Sequence, residues 1–89
     1  MAIQFESTSL SIRASLIEYI LKNHVSPYDA ANIPLDESLV ELDVLDSYGV
    51  IELVSFIESN WAIKVLDEEI TRDKMGSINK MVSLVLSKI

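Results

Sequence analysis

Apolar residues recur at helical spacing in three separate segments of this 89-residue chain. In the first segment Ile12, Leu16 and Ile20 lie four residues apart. Residues at that spacing share one face of an α-helix, because the helix completes a turn every 3.6 residues. Two glycines and two prolines are few interruptions for a chain in which 49% of residues are hydrophobic. The pattern therefore predicts an all-α fold rather than a disordered chain.

The first helix is expected to begin after Ser7, Thr8 and Ser9, since serine and threonine are good helix N-caps. It is expected to end before Pro27, because the residue that precedes a proline disfavours helical geometry. Residues 23 to 45 show no sustained period and predict a long loop with a short turn near residues 38–41. A loop of this length in a small domain is either functional or packed over the core.

The second helix is predicted over residues 47–59. Its inward stripe consists of Val50, Val54, Ile57 and Trp61. A second set of residues with the same spacing is expected to be exposed, namely Tyr48, Glu52, Ser55 and Ser59.

The last third of the chain contains two further helical segments. Residues 62–66 alternate like a strand but have no partner strand, so an extended connector is predicted. Residues 67–74 predict one short helical turn, and Ser77 is expected to cap a final helix. The inward residues of that helix are Ile78, Met81 or Val82, Val85 and Ile89. The prediction is one domain over residues 1–89, a small four-helix bundle with three longer helices and one short helix.

Composition excludes several classes of function. The formal net charge of -7 and the seven scattered basic residues exclude nucleic acid as a partner. With no cysteine, the chain has no disulfide framework and no thiolate nucleophile. No apolar run reaches membrane-spanning length, and residues 1–6 lack the basic and apolar parts of a signal peptide. We therefore expect no membrane partner, a cytoplasmic location and a monomer.

Asp46 and Ser47 stand at the start of the second predicted helix. The Asp46 side chain can accept hydrogen bonds from the unpaired N–H groups of the first turn. Ser47 would then occupy the first helical position, where the helix dipole favours a phosphate group. The pair is thus either a simple cap or the attachment point of a phosphodiester.

Catalytic and metal sites are not predicted. His24 is the single histidine and lacks the partners that a catalytic or metal site requires. A calcium loop aligned on Gly49 would place Val44 at its first ligand position, so it is rejected. Ser47 does not lie in a Gly-x-Ser-x-Gly turn, which argues against a hydrolase nucleophile. Glu52 and Glu58 point in different directions on the helix and do not form an acid–base pair.

With Asp46-Ser47 followed on the same helix by Glu52 and Leu53, the chain resembles the acyl carrier and peptidyl carrier protein family. The resemblance spans nearly the whole domain and includes the long loop and the acidic segment at residues 67–69. It implies that Ser47 carries 4'-phosphopantetheine, attached from coenzyme A by a phosphopantetheinyl transferase. The thiol of this group would hold an acyl or aminoacyl cargo as a thioester.

The resemblance also implies the roles of other residues and the partner enzymes. Asp46 would position the attachment site, and the second helix would present Tyr48, Glu52, Ser55 and Glu58 to partners. The partners implied are adenylating ligases or acyl-transfer enzymes with basic patches. The helix bundle would shelter the cargo among core residues that include Ile51 and Val54.

Two residues after the serine depart from the pattern of fatty-acid carriers, which usually have leucine and then a polar residue. Here Tyr48 and Gly49 follow Ser47. The Asp-Ser-x-Gly form is similar to stand-alone carriers served by adenylating ligases, including the D-alanyl type. Fatty acyl, aminoacyl and polyketide cargo remain open. The alternative to a carrier is an unmodified acidic helical adaptor in which Ser47 is only part of a cap.

Overall fold

Four α-helices and one 3₁₀ helix make up the regular structure of the computed structural model. It describes residues 2–24 and 26–89, with side chains from residue 8 onward except at position 25. The helices are α1 (Ala2–Asn23), α2 (Ser47–Trp61), α3 (Arg72–Met75) and α4 (Ile78–Lys88), and the 3₁₀ helix is Asp67–Glu69. Within these ranges there is no strand, and the predicted all-α fold with three longer helices and one short helix is confirmed.

Helix α1 begins earlier than predicted. It starts at Ala2 and runs through Ser7, Thr8 and Ser9, so none of the three caps its N-terminus. Serine and threonine cost no more than about 0.7 kcal/mol each within a helix, too little to stop one that continues on both sides.

The core lies between α1, α2, α4 and the long loop, with α3 packed beside α4. From α1 it receives the predicted residues Ile12, Leu16 and Ile20, all at most 1% exposed. In α4 both Met81 and Val82 are buried. One expectation for α4 was wrong, because the terminal Ile89 is 57% exposed. Leu84, which was not assigned to the inward stripe, is also buried.

The long loop between α1 and α2 is fastened to the junction of α3 and α4. The Leu39 N–H donates to the Gly76 carbonyl at 3.0 Å, and the Asn79 N–H donates to the Leu35 carbonyl at 3.0 Å. The predicted turn is present, since the Leu42 N–H donates to the Ser38 carbonyl at 3.1 Å. These bonds fix the loop that leads into α2.

The ends of the later elements follow local sequence signals. Ser77 caps α4 as predicted, because its hydroxyl accepts a hydrogen bond from the Lys80 N–H at 3.2 Å. Thr71 caps α3 in the same way through the Lys74 N–H. Helix α2 extends two residues beyond the predicted end and stops at Ala62, whose φ of 53° is left-handed. Residues 63–66 have no regular secondary structure, and Leu66 at their end has extended backbone geometry.

Candidate functional site

The N-terminus of α2 carries an exposed serine directly after a capping aspartate. Asp46 has extended backbone geometry, with φ -107° and ψ -177°, and its Oδ1 accepts a hydrogen bond from the Gly49 N–H at 2.7 Å. The Asp46 carbonyl accepts the Val50 N–H at 3.0 Å, the first bond of the helix. Ser47 is the first helical residue and is exposed. An accessible hydroxyl therefore lies at the positive end of a 15-residue helix.

Two buried residues fix the chain immediately before this pair. Val44 and Leu45 are each 3% exposed, and their N–H groups both donate to the Leu39 carbonyl, at 2.9 and 3.2 Å. The chain therefore leaves the core at Leu45 and is exposed from Asp46 to Tyr48. The residues directly before the Asp46-Ser47 pair are therefore buried and hydrogen-bonded, while Ser47 itself is exposed.

Gly49 is buried against a side chain from the end of α1. A Cβ at Gly49 would lie 2.9 Å from His24 Cε1 and 3.3 Å from Asp46 Oδ1, both closer than ordinary contact. The glycine therefore allows the His24 ring to approach the first turn of α2. Sequence reasoning treated His24 as a residue without partners and missed this contact, because it joins positions 25 residues apart.

Three of the four residues predicted to face partners lie on the exposed side of α2. Tyr48 is 71% exposed, and Glu52 and Ser55 are exposed on the same helix. Ile51 is 60% exposed and belongs to this surface, although it was expected in the apolar interior. We call Tyr48, Ile51, Glu52 and Ser55 the α2 outer face. It combines two large apolar side chains with one carboxylate.

Glu58 differs from the other three residues predicted for partner contact. It is half-buried, and its Oε2 accepts a hydrogen bond from the Val65 N–H at 2.9 Å. The carboxylate therefore ties the connector after α2 to the helix.

Behind the outer face, α2 contacts α1 through aromatic rings. Tyr19 and Phe56 stack with ring centroids 4.2 Å apart, and Trp61 meets Phe56 edge-on at 5.8 Å. Burial raises the pKa of Tyr19 above its usual 10.0, and the negative charge of the nearby Glu52 carboxylate is a second, smaller cause.

An apolar cavity of about 300 Å³ lies between the long loop, α2 and the segment around α3. Its apolar lining consists of Leu39, Val40, Leu45, Val50, Ile70, Met75 and Met81. At its edge the Arg72 guanidinium and the Glu41 carboxylate are 2.6 Å apart. Neither Ile51 nor Val54 lines it, since Ile51 faces outward and Val54 lies in the core. Leu45 and Val50, which line this cavity, flank the segment that contains Ser47 in sequence.

Among the residues that the structure describes, no group of three or more acidic or histidine side chains is placed to hold a metal ion. Nor does any helix of that part of the chain have the length and apolar character required to cross a membrane.

Several known proteins with similar sequences are named D-alanyl carrier proteins. A D-alanyl carrier protein of Streptococcus thermophilus is 34% identical over 73 residues, which cover 82% of this chain and 89% of the relative. The D-alanyl carrier protein of Streptococcus sanguinis shows the same identity and coverage. That of Streptococcus pyogenes serotype M5 is 42% identical over 48 residues, 54% of this chain and 61% of the relative. No family model matches the chain.

A four-helix domain with an exposed serine behind a capping aspartate has the architecture of a carrier protein, and these relatives are carriers by name. The chain belongs to the acyl carrier protein family, together with these D-alanyl carrier proteins.

Proposed function

We propose that this protein holds an acyl or aminoacyl group as a thioester on 4'-phosphopantetheine attached to Ser47, and delivers it between biosynthetic enzymes. The observation that carries the proposal is the exposed Ser47 hydroxyl at the start of α2, directly after the Asp46 cap. The protein itself catalyses no step in this scheme. It presents a cargo that partner enzymes load and remove.

The residues at this position fit the proposed group. A phosphodiester on Ser47 would lie at the N-terminus of α2, where the helix dipole and unpaired N–H groups favour negative charge. Asp46 directs one carboxylate oxygen to the Gly49 N–H, which holds the first turn closed beside the serine. When bound, the group supplies a thiol, which the chain lacks because it has no cysteine.

Among the cargo classes, we infer an aminoacyl group, with D-alanyl as the first candidate. The relatives are named for that cargo. Tyr48 and Gly49 after the serine also depart from the fatty-acid carrier pattern. The relatives give no support to a place in fatty acid biosynthesis.

The partners in this proposal are a phosphopantetheinyl transferase, an adenylating ligase and an acyl-transfer enzyme. The α2 outer face lies beside the attachment site on the same helix, and the chain carries a formal charge of -7. Both features favour partners that offer an apolar patch bordered by basic residues.

Intact mass spectrometry tests the proposal. The protein is incubated with coenzyme A and a promiscuous phosphopantetheinyl transferase, and its mass is measured. The wild type is expected to gain one phosphopantetheine, and Ser47→Ala none. No gain with several transferases would refute the carrier role and favour the unmodified adaptor.

Loading with an adenylating ligase, ATP and candidate acids then identifies the cargo. A D-alanine adduct on the modified protein supports the D-alanyl assignment. An adduct formed only with a fatty acid contradicts it.

A further inference from the structure

The side chain of His24 reaches from the end of α1 to the first turn of α2. Its backbone N–H still donates to the Ile20 carbonyl, at 3.0 Å, so the residue is fixed to the last turn of α1. Its Cε1 lies only 2.9 Å from the point where a Cβ of residue 49 would stand. The ring therefore occupies the space that the glycine leaves free.

The Nε2 edge of the His24 ring is held by packing and not by a hydrogen bond. His24 Nε2 is buried and makes no hydrogen bond to any of the residues that the structure describes. A buried polar atom without a partner is uncommon in folded proteins and calls for a specific explanation. The neighbouring Cε1 atom of the same ring lies in close contact with the helix that carries Ser47.

Gly49 connects that contact to the attachment site. Its N–H donates to Asp46 Oδ1 at 2.7 Å, and its absent Cβ would lie 3.3 Å from the same oxygen. A methyl group at residue 49 would therefore meet the His24 ring on one side and the capping carboxylate on the other. To relieve these contacts, the ring, the carboxylate or the first turn of α2 that contains Ser47 would have to move.

We propose that His24 is a positioning residue for Ser47. Its imidazole ring, seated against Gly49, sets the orientation of the first turn of α2 and so the direction in which the Ser47 hydroxyl meets the transferase. The role rests on the proposed function, since it concerns the attachment reaction at Ser47. In that reaction the Ser47 oxygen forms a bond to the β-phosphorus of coenzyme A. The pyrophosphate bond breaks, 3',5'-adenosine bisphosphate leaves, and the hydroxyl proton passes to a base of the transferase or to solvent.

A double-mutant cycle tests this role, with wild type, Gly49→Ala, His24→Ala and the double variant as transferase substrates. Misplacement of a reacting group by a fraction of an ångström to one ångström slows a reaction by about tenfold to a hundredfold. We expect Gly49→Ala to lower kcat by about tenfold while KM stays within about twofold. In the His24→Ala background the same change is expected to lower kcat by less than about threefold, because the methyl group then has room. Ser59→Ala, an exposed change on the same helix, is the matched control and should leave both constants unchanged.

Two results would overturn the role. One is an equal loss of kcat from Gly49→Ala in both backgrounds, which would show that His24 is not the obstacle. The other is a loss that follows the fraction of unfolded protein, measured by thermal denaturation of the same samples. A change in simple stability would lower the amount of active substrate without a selective effect on kcat.

Measurements on the same four proteins distinguish a failure of the carrier role from a failure of the positioning role. If no transferase modifies the wild type, the carrier role fails, and the contact is then read from backbone amide chemical shifts. Gly49→Ala is expected to shift the amide signals of Asp46 and Ser47, and His24→Ala to reduce that shift. Equal shifts in both backgrounds would refute the positioning contact whatever the function of the protein.

Discussion

The Asp46 carboxylate accepts the Gly49 N–H at 2.7 Å, and this bond closes the first turn of the helix that begins at Ser47. Asp46 and Gly49 therefore both determine the backbone arrangement beside the exposed Ser47 hydroxyl. The aspartate satisfies an otherwise unpaired donor, and the glycine leaves room for the His24 ring.

Removal of the cap is expected to destabilise the domain. Asp46→Ala should lower the free energy of unfolding by about 1 kcal/mol, the usual effect of losing an N-cap. Asp46→Asn should keep most of the stability that the cap provides, because an amide oxygen also accepts the Gly49 N–H. Urea unfolding followed by Trp61 fluorescence measures both, since Trp61 packs edge-on against Phe56. Glu37→Ala, an exposed loop change, is the control, and equal losses from Asp46→Ala and Asp46→Asn would contradict the cap.

The two carboxylates of α2 are expected to respond differently to substitution. Glu58→Ala should cost about 1–2 kcal/mol of stability, because it leaves the Val65 N–H without its acceptor. Glu52→Ala should change stability by no more than about 0.5 kcal/mol, since its side chain is exposed. Loading by an adenylating ligase should instead be weakened by Glu52→Ala, as an increase in KM.

Stability and loading of Glu58→Ala and Glu52→Ala are measured on the same protein samples. If Glu58→Ala raises KM as much as Glu52→Ala and leaves stability unchanged, Glu58 contacts the partner and its bond to the connector has little effect.

Ile51 is expected to contribute to partner binding through its exposed side chain. Covering the exposed part of an isoleucine contributes about 1 kcal/mol, which corresponds to about fivefold in KM. Ile51→Ser should therefore raise KM for the ligase by about fivefold, with little change in the urea midpoint. Ser59→Ala on the same helix is the control. An unchanged KM would remove Ile51 from the partner surface.

The carboxylate of Glu69 makes part of the stability dependent on pH. Its Oε1 lies 2.8 Å from the Lys88 ammonium and accepts the Leu66 N–H at 2.9 Å. These contacts lower the pKa of Glu69 below its usual 4.5, and the hydrogen bond from Lys88 is the largest cause. The folded state therefore releases this proton more readily than the unfolded state. The resulting stabilisation is complete above the unfolded pKa and is lost as pH falls through the folded value.

Glu69→Gln tests that dependence. Its stability deficit relative to wild type is expected to be largest at pH 7 and to shrink as the pH falls below about 4.5. Urea unfolding at several pH values measures it, with Glu37→Gln as the control. A deficit that stays constant from pH 7 to pH 3 would show that Glu69 does not titrate differently on folding.

Helix caps and the buried apolar faces of helices could be predicted from sequence, because they depend on neighbours within one helical turn. Ser77 was correctly assigned as a cap, and Ile12, Leu16 and Ile20 were correctly assigned to the core. Ser7, on the other hand, lies inside α1, since the same residue type is tolerated within a helix when both flanks are helical.

Other features depended on contacts that a single helix does not determine. Ile51 faces outward because it lies about 160° around the helix from the buried Leu53. The spacing placed Val54 and Ile57 correctly on the buried side of α2, but it counted Ile51 among the apolar residues of that side. The Glu58 bond to the connector and the His24 contact with Gly49 both join separate segments, so only the folded chain shows them.

Fragmentation of the modified protein most directly tests the assignment of Ser47 as the attachment point. Protein treated with coenzyme A and a transferase is digested, and tandem mass spectrometry locates the added group. We expect one phosphopantetheine on Ser47, with Ser55 and Ser59 of the same helix unmodified. The group on another serine, or its persistence in Ser47→Ala, would contradict the assignment.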